Sequence, residues 1–153
     1  MKIVLGLVIV VLSTIIGDKF SAKHVVRDKF FKDFLFFCEK MKVEISFHNN
    51  SLLSIVNELN EDSDFNKLLK SKIKDSETTL KLNYLTNEES EFFNSFANKI
   101  GRSDKENQIK FLDGIIYQVS KWSGEAQELK EKYKPLYLKL GLLFGIIAFV
   151  III

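Results

Sequence analysis

The sequence predicts an all-α protein, an antiparallel helical bundle held between an N-terminal and a C-terminal transmembrane helix. Three observations carry this reading. An uncharged apolar run stands near each end, Ile3 to Ile16 and Leu140 to Ile153. No glycine occurs between Gly17 and Gly101, and the one proline is Pro135, so most of the chain lacks the punctuation that strand-rich folds require. Between the two runs, apolar residues recur at three- and four-residue spacing, the period of a helix with one buried face. The organisation expected is a transmembrane helix over 1–19, a soluble helical domain over 20–134 and a second transmembrane helix over 135–153.

Length tests the two ends first. A helix rises about 1.5 Å per residue, so either run alone reaches about 21 Å, against roughly 30 Å of bilayer hydrocarbon. Each run extends, however. The first gains Met1, Lys2 and Gly17, and the second gains Pro135 to Lys139, where Lys139 can snorkel and Tyr137 can sit at headgroup level. A cleaved signal peptide is the alternative for the first run. It would place Ile15 and Gly17 at the recognition positions, a poor small-x-small site, so a retained anchor is expected. A buried core helix is the alternative for the second run, but that run has no polar face.

The net charge of +2 hides a partition, with nearly all ionisable residues in the middle. Lys19, Lys23, Arg27, Lys29 and Lys32 follow the first run, and Lys130, Lys132, Lys134 and Lys139 precede or enter the second. Only Lys2 lies on the far side. The positive-inside rule then places the middle domain in the cytoplasm. The lone Cys38 cannot form an internal disulfide, which argues against a disulfide scaffold.

The first long helix carries Phe30, Phe34, Phe37, Met41 and Ile45 on one stripe, broadened by Phe31 and Phe36. With no breaker after Gly17, it can continue directly from the first membrane segment. A core face is the reading preferred over a lipid- or partner-binding stripe. His48, Asn49 and Asn50 then make a polar turn. Ser51 caps a second helix bearing Leu52, Leu53, Val56 and Leu59. Ser63 or Asp64 caps a third with Phe65, Leu68, Leu69 and Ile73, followed by an exposed loop over Lys74 to Thr79.

Thr86 and Glu89 have capping-box spacing and open a fourth helix with Phe92, Phe93, Phe96 and Ile100. Gly101 ends it in the left-handed conformation that costs glycine nothing. Ser103 and Glu106 form a second box, with Asp104 adding negative charge at the positive end of the dipole. The fifth helix carries Ile109, Leu112, Ile116, Val119 and Ala126, flanked by Ile115, Trp122 and Leu129, to about Tyr133. Pro135 is expected to stop or kink it.

The string Ile100-Gly101-Arg102-Ser103-Asp104-Lys105-Glu106-Asn107-Gln108 resembles the Leu-Gly-x-Ser-Asp-x-x-x-Gln element of the stage III sporulation protein AB family. Gly101, Ser103, Asp104 and Gln108 carry the match, supported by Glu44-Ile45 and by the closing Leu140-Gly141-x-x-x-Gly145 with its apolar tail. The chain departs from the family pattern at Ser51-Leu52, where Pro-Leu is usual, and at Pro135. The family is similar to the cytoplasmic domains of the type II secretion platform protein F. The resemblance implies a platform or adaptor in a secretion-like channel complex of the mother-cell membrane facing the forespore. Its helical bundle would dock a secretion-type ATPase, stage III sporulation protein AA.

No phosphate-cradling Gly-rich loop occurs, so ATP hydrolysis by this chain is not expected. Cys38 would need His24 or His48 as its base; no motif fixes either, and a buried structural cysteine is the stronger reading. No ligand spacing points to a metal or cofactor, and no nucleic-acid partner is expected. The 101–108 element has a full structural explanation as helix stop, turn and cap. If it also docks a partner, Arg102 is the residue with no intrachain task. Gly141 with Gly145, and Ser13 with Gly17, form small-x-x-x-small pairs that let two spans approach closely or support homo-oligomers. Two further functions stay open: a small membrane-bound enzyme using Cys38 or a histidine, and an exported, tail-anchored interaction domain.

Overall fold

The computed structural model describes residues 2–47, 52–57, 62–74 and 82–152, and every regular element among them is an α-helix. In order these are α1 (Lys2–Phe47), α2 (Leu52–Asn57), α3 (Asp64–Lys74), α4 (Asn87–Lys99) and α5 (Lys105–Ile152). The His48-Asn49-Asn50 turn, the Ser51 cap, Leu59 and the loop positions from Asp75 to Thr79 lie outside the described residues, as does the side chain of Leu53. The chain forms two compact units, Met1–Asp28 with Glu125–Ile153 (unit 1) and Lys29–Gly124 (unit 2).

Unit 2 is built on phenylalanine. Phe30, Phe34, Phe37 and Met41 of α1 are buried on the expected stripe, with Phe31 beside them. Phe65 of α3 and Phe93 and Phe96 of α4 close over that stripe. Phe34 stacks on Phe65 at 4.9 Å and meets Phe96 at 4.7 Å, while Phe30 stands edge-on to Phe65 and Phe93. Each ring buried contributes roughly 1.5–3 kcal/mol, and each well-oriented pair about 0.5–1.5 kcal/mol more. Helix α5 adds Leu112, Val119 and Trp122, the indole lying 5.8 Å from Phe31 and 4.9 Å from Phe92.

Phe36 corrects the expected core, for it is 60% exposed. At about 100° per residue it points away from Phe30, Phe34 and Phe37. Cys38, four residues after Phe34 and seven after Phe31, is fully buried, as the structural-cysteine reading expects.

In unit 1 the two helix segments run antiparallel, because their contacts pair rising numbers on α1 with falling numbers on α5. The Phe149 ring lies over Gly6, Ser13 meets Gly141, Gly17 meets Tyr137, and His24 stacks on Tyr133. Asp28, almost wholly buried, accepts from Lys130 Nζ at 2.7 Å.

Pro135 does not stop α5, which runs unbroken from Lys105 to Ile152. Proline removes one N–H and crowds the carbonyl of Glu131, yet packing holds the helix on both sides of it. Tyr133 and Tyr137 stack 5.9 Å apart, and His24 lies against both. Among the described residues, α5 is the helix long and apolar enough to cross a membrane.

Candidate functional site

The 101–108 element begins where α4 ends. Thr86 caps α4 reciprocally: Glu89 N–H donates to Thr86 Oγ1 at 3.2 Å, and Thr86 N–H donates to Glu89 Oε2 at 2.9 Å. At the other end Ile100 N–H donates to Phe96 O, and Gly101 takes φ +75°, the left-handed value expected of it. A Cβ at Gly101 would also press on Leu52 Cδ2 at 3.0 Å.

One side chain then closes the turn. Gln108 Oε1 accepts from Gly101 N–H at 3.1 Å and from Ser103 Oγ at 3.0 Å. Gln108 is 3% exposed, and its Nε2 is buried without a hydrogen-bond partner. The Ser103–Glu106 capping box is not formed, because α5 starts at Lys105 and its N-cap is Asp104. Asp104 Oδ1 accepts from Asn107 N–H at 3.0 Å, and Oδ2 accepts from Asn107 Nδ2 at 2.6 Å. These donors hold the Asp104 carboxyl below its usual range. Ser103 is recruited by Gln108 instead. Arg102 is exposed and makes no ion pair among the described residues.

Unit 2 also exposes large apolar side chains that the sequence pattern missed. Phe36, Val43 and Phe47 follow one another on the outer face of α1, exposed by 60%, 50% and 79%, and Tyr117 of α5 is 78% exposed. Lys42 and Asp113 pair between them, and Lys105 Nζ donates to Ser46 O at 3.0 Å. The signal was available in the seven- and four-residue spacing of Phe36, Val43 and Phe47, which repeats on the face opposite the core stripe.

The second set, Ser13, Gly17, Gly141 and Gly145, is brought together in unit 1. Ser13 Oγ donates to Gly141 O at 2.8 Å. A Cβ on Gly17 would lie 2.5 Å from Tyr137 O, and one on Gly145 would lie 2.8 Å from Val10 Cα. Gly6, not singled out by spacing, joins the same seam under Phe149. Outward from the seam, Val4, Leu7, Val11, Ile15, Leu143 and Val150 are all exposed.

The residues weighed for chemistry are separated by environment. Cys38 is fully buried, and burial pushes its thiol up, with Glu39 adding to the effect. His24 belongs to the tyrosine stack of unit 1, its pKa lowered by burial and then by Lys23 and Arg27. Among the described residues no cluster of histidine, cysteine and carboxylates could hold a metal.

The described residues form α-helices alone, and one of these is long and apolar enough to cross a bilayer, which suggests the class of membrane-associated helical proteins. The family is more specific. The family model for stage III sporulation protein AB matches residues 2–153, essentially the whole length, and the chain belongs to that family. Its role accordingly lies in stage III of sporulation. Neither the functionally curated proteins nor the solved structures contain a match.

Proposed function

We propose that this chain is a non-enzymatic membrane platform or adaptor of a secretion-like channel complex required for endospore formation. Its helical domain docks a secretion-type ATPase resembling stage III sporulation protein AA. In this reading the first part of α1 is a second span beside the end of α5, in the mother-cell membrane facing the forespore, with the middle domain cytoplasmic.

Family membership supports this, and one structural observation carries it furthest. Both helix segments of unit 1 turn large apolar side chains outward, from Val4 to Phe20 on α1 and from Leu140 to Ile151 on α5. Surfaces of that extent are costly in water and at home in hydrocarbon. The seam between them supports retention of the N-terminal segment over the exported form, because cleavage would strip Gly141 and Gly145 of their packing partner. The enzyme alternative has less support, since the Cys38 thiol is buried and held protonated.

For docking, unit 2 offers the exposed Arg102, the exposed Phe36, Val43 and Phe47 of α1, and the exposed Tyr117 of α5. Co-purification of the ATPase with the full chain, solubilised from sporulating cells, tests the proposal. Arg102→Glu combined with Tyr117→Glu, both at exposed positions, should release the ATPase without lowering the melting temperature. Undiminished capture by that variant would move docking elsewhere, and no capture by the natural chain would sink the adaptor role.

A further inference from the structure

A groove of about 420 Å³ opens on one side of the unit 1 seam, within the roughly 300–1,000 Å³ of small-molecule sites. Its base is Ser13, Gly17 and Gly141, where the two backbones approach too closely for a Cβ. Its walls are the more exposed Ile16, Phe20, Leu140 and Phe144. Apart from the Ser13 hydroxyl, already spent on Gly141 and Val10 carbonyls, and the phenol of Tyr137, the lining side chains are apolar.

The same helical stripe changes character toward unit 1's charged end. On α1 the positions after Ser13, Gly17 and Phe20 are Lys23, His24 and Arg27; on α5 those before Gly141 and Tyr137 are Lys134, Tyr133 and Lys130. An aromatic layer comes first, with Phe20 at 6.3 Å and His24 at 6.5 Å from Tyr137. Cationic groups follow. Lys130 is engaged by Asp28, but Lys23 and Lys134 are exposed and make no ion pair among the described residues. Glu131, the carboxylate nearest Lys134 in sequence, accepts from Gln127. Asp18 lies about 100° round α1 from Gly17. The pKa of His24 is lowered by burial first and then by the nearby charges of Lys23 and Arg27.

We propose that unit 1 holds one anionic phospholipid, an acyl chain in the Ser13–Gly17–Gly141 groove and the phosphate between Lys23 and Lys134. The inference rests on the membrane reading above. An apolar helix could cover the groove but would leave the lysines unmatched, and a free phosphate would leave the groove empty. A phospholipid with a net negative headgroup satisfies both ends at the spacing the stripe provides.

Native mass spectrometry of the full chain in detergent micelles, titrated with phosphatidylglycerol or with phosphatidylcholine of the same acyl chains, tests this. One phosphatidylglycerol should be retained in preference to phosphatidylcholine. Ile16→Trp, which fills the groove from an exposed position, should abolish retention of either lipid with helicity unchanged. Lys23→Gln with Lys134→Gln should erase the preference, by about fivefold per lysine, while leaving acyl binding in place. Equal retention of both lipids by the natural chain, or unchanged retention by Ile16→Trp, overturns the site. So does displacement of the lipid by inorganic phosphate. Alkaline carbonate extraction separates the two failures: release of the chain from membranes removes the membrane reading itself, whereas a chain that resists extraction yet binds without selectivity removes only the lipid site.

Discussion

Ser13 donates its hydroxyl to the carbonyl of Gly141 across unit 1 at 2.8 Å. The bond depends on backbones too close for side chains, since a Cβ on Gly141 would stand 2.7 Å from Ser13 O. The hydroxyl and the missing methyl therefore contribute differently. Ser13→Ala should cost only about 0.6–1.7 kcal/mol, the range for hydrogen bonds between membrane helices. Gly141→Leu should force the segments apart. Thermal denaturation in detergent is expected to show a small shift for the first and a large one for the second; equal shifts would mean that close approach does not matter.

The turn at Gly101 makes a similar division. Gly101→Ala places a Cβ in the left-handed region and against Leu52, at a cost of about 1–2 kcal/mol. Gln108→Leu removes the acceptor of two donors and should cost roughly 1–3 kcal/mol. Chemical denaturation of the two single variants and the double would read coupling, because both act on one turn, and strictly additive losses would contradict the shared bond.

Asp104 sets a pH dependence. Its folded pKa lies below the ordinary 3.8, so its contribution is complete above that value and is lost as pH falls through the lower, folded value. Asp104→Asn caps comparably at neutral pH but carries no such charge. The variant should match the natural chain at pH 7 and lose less stability on acidification below about pH 4. Parallel acid limbs would show that the Asn107 bonds do not favour the carboxylate.

Phe34→Ala should cost about 3–5 kcal/mol, because it opens a cavity among Phe30, Phe65, Phe93 and Phe96. Phe36→Ala should fall within about 0.5 kcal/mol, as for an exposed position. Urea denaturation distinguishes them, and a large loss at Phe36 would mean that its face is covered in the isolated protein.

Cys38 should resist an alkylating reagent in the folded chain, since it is enclosed and held as the thiol. Labelling is expected at the rate at which unit 2 opens, accelerating with denaturant. Prompt stoichiometric labelling under native conditions would revive the reactive-cysteine reading.

Helix content and most of the unit 2 core were legible because their signals are local. The Phe30–Phe34–Phe37–Met41 stripe, the Thr86–Glu89 box and the Gly101 stop each occupy a few adjacent turns. Failures came where tertiary structure overrides local preference. Pro135 reads as a stop or a kink, and the stop is excluded because α5 continues through it, with Tyr133, His24 and Tyr137 packed around it. Ser103 reads as a cap until Gln108, five residues on, claims its hydroxyl. Phe36 was grouped by type with its neighbours when its angle on the helix set it apart. The pairing of buried Asp28 with half-buried Lys130 could not be read at all, since nothing local joins residues so distant in sequence.

Trp122 is the sole tryptophan and lies, 7% exposed, between Phe31 and Phe92 inside unit 2. Nature has thus placed one intrinsic fluorophore in one of the two units. Emission at tryptophan wavelengths follows the aromatic core alone, with the helix pair of unit 1 optically silent. A spectroscopist can therefore watch one half of this protein melt without labelling anything, and assign the remaining loss of ellipticity to the other.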